Sequence, residues 1–282
     1  MTKSTSGILL KLLNISLFIT TSFLFKSLSW YFGVPEMCFV AMILGSILTF
    51  PIALKVGFSM KSSWLLYLFR AFANALGITT WIYAISKIGI NEASAISYIT
   101  PIITTILGIL ICKERLNYKY IIATLTGFIG VYISLKPSFN IGFVGAASII
   151  ISCFSWAFHD IICKKQSGTE HSIVQAFHSF WIGIIFLAPV ALYNARFGHY
   201  ISHYYILTCI AVLSTINVVV IFLAYKFAPI TLLMPFSYCR FPITCIVTYV
   251  LYGYTPSLES IIGSCIIACS SIFVFLQRKK NS

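Results

Sequence analysis

The sequence predicts an all-α integral membrane protein with ten transmembrane helices, arranged as two inverted five-helix repeats. Of the 282 residues, 59% are hydrophobic and 9% are charged, whereas a soluble domain usually carries about 25% charged residues. Ten apolar stretches reach the length of about 20 residues that a spanning helix needs. Short sequence elements also recur 140 positions apart, which relates the two halves of the chain.

Basic residues punctuate the gaps between the apolar stretches and so mark the ends of the spans. The first span is the weakest, because Lys11 interrupts it, but no small-residue cleavage site follows, which favours a retained span over a cleaved signal peptide. The stretches lack the roughly ten-residue alternation of a membrane β-barrel. In chain order the predicted spans are 9–28, 34–54, 63–86, 92–112, 117–136, 141–162, 173–193, 204–225, 229–252 and 257–276.

The charges of the loops predict the orientation of the chain. With ten spans both termini lie on one side, and thirteen basic residues fall on that side against four on the other. Cytoplasmic loops are enriched in Lys and Arg, so we expect both termini in the cytoplasm. The thirteen are Lys3, Lys11, Lys55, Lys61, Lys113, Arg115, Lys119, Lys164, Lys165, Lys226, Arg278, Lys279 and Lys280, and the four are Lys26, Lys87, Lys136 and Arg196. The remaining two, Arg70 and Arg240, fall inside predicted helices.

Composition and spacing argue against several other classes of protein. The net charge of +13 does not predict nucleic-acid binding, because the basic residues do not cluster on one face. The nine cysteines lie mostly within spans, without CxxC or metal-type spacing, so we interpret them as small buried residues. His199 and His203 lie beside tyrosines, which is typical of an interfacial belt and not of a metal site. In the absence of HExxH, GxSxG and P-loop motifs, we predict no enzyme activity, metal or cofactor.

The repeat indicates a transporter architecture. Ser97-Tyr98 recurs as Ser237-Tyr238, and the same offset aligns spans three to five with spans eight to ten. Because each half has five spans, the second half enters the membrane inverted, which places the repeats at 1–136 and 137–282. Inverted repeats of this kind build transporters whose substrate site lies near the midplane. The elements "SYITP" and "SYCRFP" are then equivalent and flank one central cavity.

The same residues resemble a known family. "RAFANALGITTWIYAISKIGINEASAISYITPIITTILGILICKERL" (70–116) is similar to the first repeat of the EamA-type transporters of the drug/metabolite transporter superfamily, and "APITLLMPFSYCRFPI" (228–243) is similar to the second. Within the superfamily, residues 158–179 and the "PFSY" element are most similar to bacterial S-adenosylmethionine uptake carriers. The resemblance implies a secondary transporter of a bacterial inner membrane.

The chain departs from those relatives at positions of the expected cavity and gates. The relatives usually have an arginine in span two where Ala41 stands, a glutamate where Arg240 stands, and an acidic residue after span nine where Tyr254 stands. The substrate therefore stays open among S-adenosylmethionine, amino acids and nucleotide-like metabolites.

Arg240 is the predicted centre of the substrate site. It lies about eleven residues into span nine, near the midplane, where a charge is costly unless it faces a wet cavity or a partner. Because every acidic residue lies near a span boundary, we expect Arg240 to bind an anionic group of the substrate, such as a carboxylate. The alternative is a structural role. Tyr98 and Tyr238, as repeat equivalents, are expected to line the same cavity.

Other polar residues inside the spans each allow two interpretations. Arg70 and Asp160 lie at similar depths near the cytoplasmic side and are expected to pair, as a gate or a structural element. Asn74 and Trp81 share a helix face with Arg70 and would present an amide and an indole to the substrate; otherwise Asn74 bonds a neighbouring helix and Trp81 packs in lipid. Asn217 either contacts the substrate or joins two helices.

These features predict a secondary carrier that moves a small zwitterionic or anionic metabolite by alternating access, with S-adenosylmethionine as one candidate. A carrier of cations or protons would need a carboxylate within the membrane, for which Asp160 is the only near candidate. The alternatives are an exporter of amino acids or other metabolites and, less favoured, an integral membrane enzyme. The expected partners are a small-molecule substrate and the lipid bilayer, with the chain acting as a monomer or a homodimer.

Overall fold

The structure is a computed structural model that describes residues 3–57, 61–88, 90–115, 117–135, 142–193, 200–253 and 255–280. Over these ranges the chain is helical and contains no β-strand. A short 3₁₀ turn, Pro235–Cys239, precedes the eleventh α-helix. The α-helices are α1 (Lys3–Leu28), α2 (Val34–Val56), α3 (Trp64–Ile88), α4 (Ile90–Ser97), α5 (Thr100–Ile111), α6 (Tyr118–Leu135), α7 (Phe143–Ser167), α8 (Ser172–Tyr193), α9 (Tyr200–Phe227), α10 (Ile230–Leu233), α11 (Arg240–Tyr252) and α12 (Leu258–Lys280).

Ten helical segments in the described ranges are long and apolar enough to cross a membrane. The predicted all-α fold with ten spans is therefore confirmed. Spans four and nine are each built from consecutive shorter helices, α4 with α5 and α10 with α11. The first span begins at Lys3, earlier than the predicted start at residue 9, so Lys11 lies further from the start of α1 than predicted.

Helices of the two halves pack against each other. α3 lies along α7, α1 lies along α9, and α2 packs on both α8 and α9. Small residues permit the closest approaches: a Cβ added to Gly77 would lie 2.6 Å from Nε1 of Trp156, and Ser152 donates a hydrogen bond to the Gly77 carbonyl at 2.8 Å. Such residues let membrane helices pack tightly without a hydrophobic driving force. The two repeats therefore form one interleaved bundle.

Two spans are broken at equivalent positions. α4 ends at Ser97, Tyr98 and Ile99 form a turn, and α5 then begins with Pro101 in its first turn. In span nine, the 3₁₀ turn begins at Pro235 and ends where α11 begins. Proline lacks an N–H and is tolerated where a helix begins, because that N–H would have no helical acceptor. The breaks lie next to Tyr98 and Tyr238, the residues that the sequence repeat pairs.

α6 and α12 pack against each other and against the residues at both breaks. A Cβ on Gly130 of α6 would lie 2.8 Å from the carbonyl oxygen of Gly263 in α12, so the two backbones are in near contact. Val131 and Ile267, from the same two helices, pack against Tyr98 and Tyr238 in one buried cluster.

The predicted orientation can be tested at residues that the structure describes. The external loop expected at Arg196 to His199 and the C-terminal residue 281 lie outside the described residues. Ser257 and Ser63 are both exposed and lie on opposite sides of the predicted bundle. When Lys11, which lies inside α1, is left out of the count, twelve basic residues remain on the predicted cytoplasmic side and four on the other.

In a variant without native cysteines, an impermeant thiol reagent applied to intact cells is expected to label Ser257→Cys and to leave Ser63→Cys unlabelled until the membrane is opened. The reason is that Lys- and Arg-rich loops stay in the cytoplasm. The cysteine-free parent controls for background labelling. Labelling of Ser63→Cys alone would reverse the orientation.

Candidate functional site

Arg240 is held by aromatic faces at the start of α11. Its guanidinium carbon lies 4.7 Å from the ring centroid of Tyr98 and 5.4 Å from that of Phe18 in α1. Its Nε donates a long hydrogen bond of 3.5 Å to the Tyr98 hydroxyl. Within the described part of the chain, no carboxylate lies within ion-pair distance of it. Arg240 is partly exposed, so its terminal nitrogens are available to an anionic ligand.

Tyr98 and Tyr238 take different positions, although they are repeat equivalents. Their rings stack with centroids 6.1 Å apart and an angle of 23° between planes. Tyr98 faces Arg240, whereas Tyr238 is fully buried against α6, where a Cβ on Gly127 would lie 2.5 Å from its ring. In this conformation Tyr238 therefore packs against the Tyr98 ring. It is fully buried and does not line a cavity. Its expected contact with substrate stays a prediction.

One face of α1 brings polar groups to the same region. Lys11, Asn14 and Phe18 follow each other at intervals of three and four residues, which places them on one side of a helix. Asn14 Nδ2 donates a hydrogen bond to Oδ1 of Asn217 at 2.6 Å. This bond joins α1 to α9, which favours the interhelical role for Asn217 over substrate contact.

Asp160 lies on α7 beside a histidine. The His159 Nδ1 atom is 3.3 Å from the Asp160 carboxylate, and the two side chains are 20% and 26% exposed. Cys163 Sγ lies 3.6 Å from the other ring nitrogen of His159. Lys11 interacts electrostatically with both Asp160 and Arg240, so α1, α7 and α11 contribute charges to one region. We call Lys11, Tyr98, Asp160 and Arg240 the central site.

The predicted pair between Arg70 and Asp160 is not formed. Arg70 is 1% exposed; its Nη1 donates to Oε1 of Gln166, and its Nη2 donates to the Gln175 carbonyl at 3.0 Å. Its guanidinium also lies between the rings of Tyr67 and Phe222. Six residues separate Asp160 from Gln166 on α7, so the two side chains leave the helix on different sides. Similar depth in the membrane therefore did not imply contact.

Arg70 belongs to a buried polar cluster where α3, α7 and α8 meet, formed by Tyr67, Arg70, Gln166, Glu170 and Gln175. Buried side-chain atoms without a hydrogen-bond partner in the described residues are Tyr67 Oη, Arg70 Nε, Gln166 Nε2, Glu170 Oε2 and both amide atoms of Gln175. Such atoms are costly to bury and regain hydrogen bonds when helices part and water enters. Entry of water into the buried polar cluster would therefore supply hydrogen bonds that the described residues do not.

Asn74 and Trp81 have no contact that places them in the central site. Asn74 is partly exposed on α3 and makes no hydrogen bond in the described part of the chain. The Trp81 ring lies 5.6 Å from that of Trp156 and packs in an apolar cluster of α3, α4 and α7. This arrangement is that of a helix-packing residue, and stacking of Trp81 on a substrate stays a prediction.

Two charged residues position the segment that carries Tyr238 and Arg240. Glu114 Oε1 accepts from the Ile230 N–H at 2.7 Å, and Oε2 accepts from the N–H and the hydroxyl of Thr231 at 2.9 and 2.7 Å. Lys164 Nζ donates to the carbonyls of Tyr225 and Ala228, both at 2.6 Å. We call Glu114 and Lys164 the clamp, because they hold the turn between α9 and α10 from both sides. The sequence pattern predicts Lys164 only as a loop charge and predicts no role for Glu114.

A groove of about 470 Å³ lies between the start of α2 and the ends of α3 and α8. Its charged side chain, Glu36, is almost fully buried and accepts a hydrogen bond from the Gly33 N–H at 3.2 Å. The groove shares no residue with the central site. It is lined by Gly33, Pro35, Glu36, Ile82, Pro189, Val190, Ala191 and Tyr193.

Broken membrane helices from two interleaved halves are typical of multi-pass membrane transporters. The chain belongs to the EamA-like transporter family, whose profile matches residues 5–136 and 143–276. Both the family and the named relatives below are transporters and not enzymes.

Curated relatives and a solved structure agree with this class. The S-adenosylmethionine uptake transporter of Rickettsia prowazekii is 24% identical over 271 residues, which cover 93% of this chain and 91% of that protein. The riboflavin transporter of Vibrio cholerae is 26% identical over 223 residues, covering 77% and 73%. A protein crystal structure with 17% sequence identity has the same fold, with a TM-score of 0.82 over 99% of each chain.

The partners of Arg70 can be tested by double-mutant cycles on thermal unfolding of the purified protein. Arg70→Ala and Gln166→Ala are expected to be non-additive by about 0.5–3 kcal/mol, because they share a hydrogen bond. Arg70→Ala and Asp160→Asn are expected to be additive, since they share no contact. A strong coupling in the second cycle and none in the first would contradict the structure.

The clamp predicts a specific loss for Glu114→Gln. The amide places an NH₂ group where the carboxylate accepted hydrogen bonds, so the variant should lose about 1–3 kcal/mol of unfolding free energy. Arg115→Gln, an exposed charge change in the same loop, is the matched control and should change little. Equal thermal stability of Glu114→Gln and Arg115→Gln would show that the clamp does not hold the turn.

Proposed function

We propose that this protein is a secondary carrier that moves a small organic metabolite with an anionic group by alternating access. The observation that carries the proposal is Arg240, which rests on the Tyr98 face with no carboxylate in ion-pair distance among the described residues. A charge within a membrane normally faces a partner or a substrate pathway. Arg240 also begins α11, where the positive end of the helix dipole adds to the preference for an anion.

S-adenosylmethionine is the first candidate substrate. Its carboxylate suits the planar guanidinium of Arg240, and its adenine and sulfonium suit the aromatic faces of Tyr98 and Phe18. The Rickettsia relatives named for its uptake support this choice. Riboflavin, named for other relatives, offers a planar ring without a carboxylate. Export of an amino acid uses the same recognition chemistry and differs in the direction of transport.

The proposed motion is a rocking of the two halves about the central site. Under the predicted orientation, the clamp and the buried polar cluster close the cytoplasmic side in this conformation. When α3 parts from α7 and α8, the polar atoms of that cluster regain hydrogen bonds to water. Because no carboxylate of the described residues lies within ion-pair distance of Arg240, we propose transport by exchange or down the gradient of the metabolite.

Reconstitution tests this function. A thermal-shift screen of the purified protein against S-adenosylmethionine, riboflavin and amino acids identifies a ligand, because binding to the folded state raises its stability. Vesicles that contain the protein should then exchange the labelled ligand and release it chemically unchanged. Recovery of a chemically altered compound would identify an enzyme and overturn the proposal.

Arg240→Gln should remain folded and inserted, because it removes a partly buried cation that has no ion-pair partner among the described residues. It should weaken S-adenosylmethionine binding by about 2–5 kcal/mol, the effect of losing a buried charge partner. Arg240→Lys should restore part of the affinity, since an ammonium lacks the bidentate fork. Titration calorimetry measures both variants. A misfolded Arg240→Gln whose folded remainder binds normally would make Arg240 structural.

A further inference from the structure

Lys11 is buried within the first span and has no hydrogen-bond or ion-pair partner among the described residues. Its side chain is 8% exposed. Burial of an unpaired ammonium costs on the order of several kcal/mol. A buried lysine whose role is only structural is therefore expected to have hydrogen-bond acceptors. Lys11 therefore differs from a structural lysine.

Lys164 shows what such a structural lysine looks like in this protein. It is also largely shielded from solvent, and its Nζ donates to two backbone carbonyls at 2.6 Å. The two lysines carry the same side chain, but Lys164 has hydrogen-bond acceptors and Lys11 has none among the described residues. Lys164 donates hydrogen bonds to carbonyl groups at the end of α9. The N–H groups of the Lys11 ammonium have no such acceptor among the described residues, so they are free to bind a ligand.

The groups around Lys11 define what it can bind. It interacts electrostatically with Asp160 on α7 and with Arg240 on α11. Asp160 has His159 at 3.3 Å, and Phe18, two turns along α1 from Lys11, lies beneath the Arg240 guanidinium. The central site holds two cations, Lys11 and Arg240, and one carboxylate, Asp160. A ligand whose charges are complementary to these carries an anionic group toward Lys11 and Arg240 and a cationic group toward Asp160.

We propose that Lys11 is a second cation of the substrate site, and that the site recognises an α-amino-carboxylate group: the carboxylate binds between Lys11 and Arg240, and the ammonium faces Asp160. This inference rests on the proposed transport function and narrows its substrate to zwitterions with an amino-acid head. It assigns a binding role to the first span, which the sequence analysis treated as the weakest.

The test compares Lys11→Gln and Lys11→Arg with Lys26→Gln, a matched control at the exposed end of the same helix. The probes are S-adenosylmethionine, its decarboxylated analogue and 5′-methylthioadenosine, which lacks the amino-acid head altogether. Affinities are measured by calorimetry, and folding by thermal unfolding without ligand.

Lys11→Gln is expected to weaken S-adenosylmethionine binding by about thirtyfold or more, as for loss of a buried charge partner. It should change methylthioadenosine binding less than about twofold, because that probe makes no contact with Lys11 (an estimate from the additivity of independent sites). Lys11→Arg should keep most of the affinity, Lys26→Gln should match the parent, and Lys11→Gln should unfold at or above the parent temperature.

Three results would overturn the inference and leave the carrier function standing. They are equal loss of affinity for all probes, unchanged S-adenosylmethionine binding by Lys11→Gln, and a Lys11→Gln protein that fails to fold, which would make the lysine structural. A parent protein that prefers the decarboxylated analogue or riboflavin would likewise exclude the amino-carboxylate site. If the parent neither binds nor exchanges any compound, the proposed function itself fails.

Discussion

The turn between spans eight and nine imposes the constraint on which the rest of the structure depends. Inside a bilayer, backbone N–H and C=O groups must find partners within the protein, and the end of one helix and the start of the next leave several of them without intrahelical bonds. Here Glu114 accepts from the N–H groups that begin α10, and Lys164 donates to the carbonyls that end α9. One of these residues comes from each half of the chain. The turn that leads into the segment carrying Arg240 is therefore stabilised by both halves of the chain together.

The same contacts make the two ends of the bundle unequal. At the position 140 residues after Glu114 the chain has Tyr254, which lies outside the described residues and has no carboxylate to accept from backbone N–H groups. At the position 140 residues after Arg70 it has Ile210, which packs in a buried hydrophobic cluster with Leu28 and Met37. An arginine with hydrogen bonds in one half thus corresponds to an aliphatic side chain in the other. In the proposed rocking motion, opening the two interfaces would expose different groups to water.

The all-α fold with ten spans could be predicted from the sequence, because the length and hydropathy of a span depend only on consecutive residues. It also singled out Arg240, since depth along a predicted helix follows from residue count alone. The Arg70–Asp160 pair failed for a related reason: depth gives the height of a side chain but not the side of the helix from which it leaves. Gln166, the side chain that does accept from Arg70, lies beyond the predicted end of span six at residue 162, and only the continuation of α7 to Ser167 makes it helical.

The clamp and Lys11 were missed for different reasons. The partners of Glu114 are backbone atoms of residues more than a hundred positions away, and no pattern of side chains marks them. Lys11 was counted among the cytoplasmic charges because it lies close to the predicted start of the first span at residue 9. The structure begins α1 at Lys3, which places Lys11 well within the helix, on one face with Asn14 and Phe18.

The most direct test of the central site is a crystal structure of the protein with the compound that stabilises it most in the ligand screen. The arrangement described predicts an anionic group of that compound within hydrogen-bond distance of the Arg240 guanidinium, with its ring system against Tyr98. A ligand found instead in the groove between α2, α3 and α8, with Arg240 making only its contacts to Tyr98 and Phe18, would contradict it.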